Sequence, residues 1–221
     1  MSLELTKRII TSIFLISLLI LMFLYTFVMI ISIIVIAIIC WIEFYALISK
    51  IFSKKNNKDK IFRFFYKVIS LIYLFLLVYL ILLAKSKYPE LNLVLIYSIL
   101  ISIMSDIGGL IIGKILKGKK LTKISPNKTI SGAMGSFIFS LFLLPFFNNY
   151  FINHEILSLL IITLSISLIS QIGDIFISFI KRKARVKDTS DILPGHGGVL
   201  DRIDGIIFAI SAIAKSFPIY F

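Results

Sequence analysis

The chain has 221 residues, of which 59% are hydrophobic and 16% charged, with a formal net charge of +13. A soluble globular domain carries about 25% charged residues, so this composition and a mean hydropathy of +1.03 exclude an ordinary water-soluble fold and point to an integral membrane protein. The single cysteine, Cys40, excludes an intrachain disulfide framework. The positive charge is scattered over several loops, which suits anionic lipid headgroups and a bilayer rather than nucleic acid.

A bilayer core is crossed by about 20 apolar residues in a helix. From Ile9 to Ile42 there is no charged residue. That run is too long for one span or for a signal-peptide core, and no small-residue cleavage site follows it. It predicts two helices joined by a tight turn near Tyr25–Met29. Further apolar runs at roughly 64–83, 91–112, 129–147, 155–180 and 203–220 complete an all-α integral membrane protein with about seven transmembrane helices. Polar segments between them are short, so 1–221 reads as a single polytopic membrane domain without internal repeat. Residues 1–100 are expected to be lipid-facing spans and 101–221 the catalytic part. Lys54–Lys60 (KKNNKDK) reads as a solvated basic turn.

Lys and Arg are retained on the cytoplasmic side of membrane proteins. With the N-terminus cytoplasmic and seven spans, all of the 24 basic residues except Lys85, Lys87 and Lys215 fall inside. The acidic residues divide likewise: Asp106, Asp174, Asp188, Asp191, Asp201 and Asp204 are expected in two clusters on that same side. Asp106 and Asp174 lie within apolar runs, where a carboxylate is costly and marks a functional site by default. Glu43, near the cytoplasmic end of the second span, reads as an interface residue rather than a ligand.

The chemistry concentrates in QIGDIFISFIKRKARVKDTSDILPGHGGVLDRIDG, from Gln171 to Gly205. Gln171, Asp174, Ser178 and Lys181 are spaced by three, four and three and share one helix face. The basic run Lys181 to Lys187 can hold phosphates. Pro194-Gly195-His196-Gly197-Gly198 cannot continue a helix, and its backbone N–H groups are expected to approach an anion closely. Asp201, Arg202 and Asp204 open the last span. Asp174 and Asp201 flank one short loop and suit Mg²⁺, which takes one or two protein carboxylates and completes its shell with phosphates and water. Such a set serves phosphoryl or nucleotidyl transfer, where positioning and charge neutralisation dominate. Neither a serine–histidine arrangement nor a Cys/His zinc pattern occurs; His154 falls on the opposite membrane side from His196.

The stretch Ser178-x-x-Lys181-Arg182-x4-Lys187-Asp188-x-Ser190-x2-Leu193-Pro194-x-His196-Gly197-Gly198-x2-Asp201-Arg202-x-Asp204 resembles the signature of the phosphatidate cytidylyltransferases, or CDP-diacylglycerol synthases. Upstream, Ser105-Asp106 and Ile124-Ser125-Pro126-Asn127-Lys128-Thr129-x2-Gly132 resemble that family's second, looser block. The resemblance runs from about residue 103 to 205. It implies transfer of CMP from CTP to phosphatidate, giving CDP-diacylglycerol and pyrophosphate, by an enzyme of the cell (inner) membrane whose site faces the cytoplasm; a homodimer is also in keeping with it. Asp174 and Asp201 then correspond to the metal-binding acidic residues. Lys181, Lys187 and Arg202 would stabilise charge on the pyrophosphate. Ser178, His196, Gly197, Gly198 and Asp204 would bind substrate or shape the site, and Ser125 and Lys128 would face CTP. The density of carboxylates also suits a second, monovalent cation such as K⁺. Ile177 stands where the family commonly has glutamate and Asn127 where it often has lysine, and one N-terminal span is expected to be missing relative to many relatives. A related CTP-dependent enzyme acting on an isoprenoid lipid stays open as an alternative. A transporter is disfavoured, because the polar residues cluster at one membrane face.

Overall fold

A computed structural model of the chain describes residues 3–53, 56–87, 91–122, 125, 128–148, 150 and 156–220, with side chains placed for 4–53, 56–83, 93–122, 125, 128–148, 150 and 156–211. Lys54, Lys55, Lys123, Ile124, Pro126, Asn127 and His154, and the side chains of Lys85, Lys87 and Lys215, lie outside the described residues. The helices are α1 (Leu3–Leu24), α2 (Thr26–Ile51), α3 (Asn57–Lys87), α4 (Leu91–Leu116), α5 (Ile130–Leu141), α6 (Leu144–Phe147), α7 (Ile156–Lys183) and α8 (Leu200–Tyr220).

Among the described residues six stretches are long and apolar enough to cross a membrane: Glu4–Leu24, Thr26–Ile51, Asn57–Leu83, Leu93–Leu116, Ile130–Phe147 and Ile156–Lys183. The seventh expected span falls on α8, of 21 residues. Large apolar side chains face outward along them. Phe27, Phe64 and Phe75 are 74%, 71% and 72% exposed, an arrangement that is stable against lipid and costly against water. The chain is an integral membrane protein.

Local chemistry explains the breaks. The long apolar run is interrupted at Tyr25 alone, whose backbone is extended at φ −122° and ψ 111°. Thr129 caps α5, its hydroxyl accepting the Gly132 N–H at 3.0 Å, as N-cap threonines do. Pro145 lies in the first turn of α6, where its missing N–H is tolerated; within a continuous helix its ring would clash with the Leu141 carbonyl. The basic turn expected over Lys54–Lys60 is corrected in part. Asn57–Lys60 already belongs to α3, because Asp59 sits favourably in a first helical turn and a helix may extend beyond the apolar layer.

The chain forms two compact units. The first comprises Met1–Lys87 and Ile180–Ile203; α1 packs on α2 and α2 on α3. Its buried residues include Cys40, Glu43 and Leu47 of α2. The second comprises Tyr88–Phe179 and Asp204–Phe221. There α4 packs closely on α5 through glycines. A Cβ on Gly108 would strike the Gly135 carbonyl oxygen, and one on Gly132 the Gly109 carbonyl oxygen, so the backbones approach as small residues allow in membranes. Buried hydroxyls tie the remaining helices: Tyr97 to Thr163 at 2.5 Å, Ser105 to Ser167 at 3.0 Å, and Ser136 to the Ser105 carbonyl at 2.7 Å. Phe208 of α8 lies over Gly173 and against Phe176 of α7. Residues 180–203, most of the signature, group with the first 87 residues.

Candidate active site

Helix α7 ends in a left-handed residue, Arg185 at φ 56°, with the Val186 N–H bonded back to the Lys181 carbonyl at 3.0 Å. Helices commonly end this way, usually on glycine. The chain then turns sharply. Leu193 N–H donates to the Gly197 carbonyl at 2.8 Å, and the His196 and Gly197 N–H groups donate to the Leu193 carbonyl at 2.9 and 3.1 Å. Gly197 has φ 86°, a conformation side chains disfavour. At Gly198 the requirement is room: a Cβ there would collide with the Thr189 hydroxyl and both Glu43 carboxylate oxygens. The Gly198 N–H donates to Asp201 Oδ2 at 3.0 Å. The Gly197 and Gly198 amides are thus used within the loop, whereas the sequence led us to expect them free to approach an anion.

Asp201 is the centre of this loop. Lys181 Nζ donates to its Oδ1 at 2.7 Å. Its Oδ2 accepts the Thr189 N–H at 2.8 Å, the Thr189 hydroxyl at 2.9 Å and the Gly198 N–H. The carboxylate is only 4% exposed. Burial by itself raises the Asp201 pKa, but the Lys181 ammonium and the Thr189 and Gly198 amides outweigh it and hold the carboxyl below its ordinary value. Hydrogen bonds to the charged form act in this sense.

Glu43, expected at the membrane interface, is instead 2% exposed. Its Oε1 accepts the Ser190 hydroxyl at 2.5 Å and the Val199 N–H at 3.0 Å. Its Oε2 accepts the Thr189 hydroxyl at 2.9 Å and the Leu200 N–H at 2.8 Å. The physical reason is the start of α8, whose first amides have no partner in their own helix; a buried carboxylate satisfies them and is itself solvated by them. Glu43 and Thr189 are the site residues that sequence reasoning missed. A signal existed for Glu43, the sole acid between Ile9 and Asp59 and so an expensive residue for a span.

The other expected residues distribute as follows. Asp174 and Lys128 form an ion pair, their side chains 28% and 25% exposed; the Ser178 hydroxyl lies 3.5 Å from Asp174 Oδ1. The Lys128 N–H donates to the Ser125 carbonyl at 3.1 Å, and the Ser125 N–H donates to the Thr122 hydroxyl at 3.1 Å. Arg202 donates from Nε and Nη2 to the His196 carbonyl at 3.1 and 2.5 Å, yet remains exposed, as does Lys187. His196 Nε2 is 3.4 Å from the Ser12 hydroxyl, and Thr11 donates to the Pro194 carbonyl at 2.9 Å, so the loop rests on α1. Asp204 is buried in the second unit, its Oδ1 accepting the Gly205 N–H at 2.8 Å. Ile177 is buried, and Asp106 is exposed on α4.

Among the described residues no group of three or more His, Cys, Asp or Glu side chains gathers as a metal cluster. Mg²⁺ needs only one or two protein carboxylates, and Asp201 in the first unit and Asp174 in the second are each chemically suited to supply one. Asp201 keeps Oδ1 with one ammonium partner, Asp174 is half-buried, and each carboxylate already attracts a cation.

The model described as the cytidylyltransferase family matches residues 4–219. A phosphatidate cytidylyltransferase of Staphylococcus haemolyticus (strain JCSC1435) is 41% identical over 119 residues, 52% of this chain and 45% of that protein. One of Helicobacter pylori (strain J99 / ATCC 700824) is 32% identical over 171 residues, 77% of this chain and 60% of that protein. One of Staphylococcus aureus (strain COL) is 43% identical over 119 residues, 52% of this chain and 45% of that protein. The chain thus spans between 45% and 60% of the length of these relatives.

Proposed function

Since the chain belongs to the cytidylyltransferase family, we propose that it is a nucleotidyltransferase of the phosphatidate cytidylyltransferase type, transferring CMP from CTP to phosphatidate and releasing pyrophosphate. The observation that carries the proposal is the pairing of each candidate carboxylate with one lysine: Asp174 with Lys128, and Asp201 with Lys181. Such pairs suit a site that receives a metal–nucleotide complex. Carboxylates would then exchange ammonium for metal and lysines carboxylate for phosphate, so each charged group would keep a counter-charge.

Asp174 and Asp201 are the residues proposed to take Mg²⁺, which when bound would neutralise charge on the nucleotide phosphates. Lys128 and Lys181 would then hold phosphate oxygens. Lys187 and Arg202, both exposed, would neutralise the departing pyrophosphate; Arg202 has donors beyond the two spent on His196. Phosphatidate carries an ionised phosphate at neutral pH, so its oxygen attacks the α-phosphorus of CTP without a strong general base. One P–O bond forms and the bond to pyrophosphate breaks. With the N-terminus cytoplasmic, the loop, which rests on the third turn of α1 through Thr11 and Ser12, would meet CTP on the cytoplasmic side of the cell membrane.

Purified protein, phosphatidate vesicles and radiolabelled CTP test the proposal. CDP-diacylglycerol should form, and a chelator should stop its formation. Protein that makes no CDP-lipid from phosphatidate under any divalent-ion condition would overturn it.

A further inference from the structure

Glu43 sits 146 residues before Thr189 and 157 before Leu200, outside the signature, and the mechanism above does not use it. A carboxylate at 2% exposure inside an apolar span is expensive unless every lone pair is engaged. Glu43 engages four donors, two on each side of the tight turn: the Thr189 and Ser190 hydroxyls before it, the Val199 and Leu200 amides after it. One of these donors is shared, since the Thr189 hydroxyl is 2.9 Å from both Glu43 Oε2 and Asp201 Oδ2.

We propose that Glu43 is a positioning residue for the reaction: it fastens both ends of the 189–200 segment to α2 and, through the Thr189 hydroxyl, fixes the carboxylate of Asp201 that is offered to the metal. This rests on the activity proposed above only where turnover is read. Gly198 gives the same geometry from the other side, because no Cβ fits between Thr189 and Glu43. A water-filled or lipid-filled gap at residue 43 would leave two hydroxyls and two helix-start amides to find other partners. The loop would then hold Asp201 only through Lys181 and backbone amides.

The test uses full-length protein in detergent with three variants. Amide hydrogen exchange, without nucleotide or metal, should rise at least about tenfold over 186–200 in Glu43→Ala, with α4 and α5 unchanged. Mn²⁺ binding, followed by electron paramagnetic resonance with the metal alone, should weaken about 10- to 100-fold, the range for losing an outer-shell partner. The kcat should fall in proportion while KM for phosphatidate stays constant. Glu43→Gln keeps one acceptor oxygen and should lie between. Thr189→Val cuts the link to Asp201 but leaves Glu43 its other three donors; its exchange should stay near wild type while Mn²⁺ affinity falls. Wild-type exchange in Glu43→Ala overturns the fastening, and wild-type Mn²⁺ affinity in Thr189→Val overturns the link. If Glu43→Ala does not fold, the other two variants decide. If wild-type protein makes no CDP-lipid, the activity fails by itself, and exchange and Mn²⁺ binding still judge Glu43.

Discussion

The hydroxyl of Thr189 lies 2.9 Å from a carboxylate oxygen of Asp201, twelve residues on in the chain, and its backbone N–H lies 2.8 Å from the same oxygen. Both donors of one residue thus converge on one lone-pair region. The second oxygen of Asp201 accepts from Lys181.

Removal of charge at either acidic position should be severe. Asp174→Asn and Asp201→Asn should each lower kcat by about a hundredfold or more, beyond the range for an outer-shell partner, with the protein still monodisperse in detergent. Turnover of radiolabelled CTP measures this. Full activity in both variants would withdraw the metal assignment.

The lysines should respond differently from the carboxylates. The Lys128 side chain is paired with Asp174 and partly exposed, so Lys128→Gln should raise KM for CTP by about tenfold, the equivalent of about 1.4 kcal/mol of lost charge interaction. A change confined to kcat would show instead that Lys128 acts in the transition state.

Gly198→Ala should destabilise the protein by about 1–3 kcal/mol, the usual cost of forcing a methyl into a filled site. The neighbours it would strike are held rather than flexible: the Thr189 hydroxyl and the Glu43 carboxylate. Thermal unfolding in detergent reads the loss. An alanine variant that melts with wild type would mean the segment relaxes without cost.

The depressed Asp201 carboxyl gives a pH dependence of known sign. Its reference value is 3.8 and its folded value is lower. Its contribution to stability is therefore fully present above about 4 and is lost as the pH falls through the lower folded value. The melting temperature of wild type should decline over that acid window more than that of Asp201→Asn, which lacks the titrating group. Parallel curves for the two proteins would refute the assignment.

Orientation can be read chemically because the sole cysteine is buried. In a Cys40→Ser background, Lys58→Cys, at the exposed start of α3, should react with an impermeant maleimide in inside-out vesicles and not in intact cells. The opposite pattern would invert the proposed topology.

Much of this molecule was legible in the sequence because a bilayer is a simple solvent. A span must be apolar over a fixed length, so the Ile9–Ile42 run, the later apolar runs and the breaks between them followed from composition, and α1 to α8 fall where those runs lie. Spacing alone put Asp174, Ser178 and Lys181 on one face of α7, and the string from Ser178 to Asp204 carried the resemblance to the family. Helix ends were less legible. At α3 a polar turn continues the helix past the apolar layer, which no hydropathy pattern encodes. What only the tertiary structure decided is the partner of each charge. Glu43 and Leu200 are 157 residues apart, and nothing local to either announces the other. The glycine amides that looked free are spent on Leu193 and Asp201, and the glutamate that looked interfacial is buried as the acceptor for the start of α8. The physical reason is that a buried polar group must be satisfied by whichever donor the fold brings within about 3 Å, and that choice is made by packing, not by neighbours in the chain.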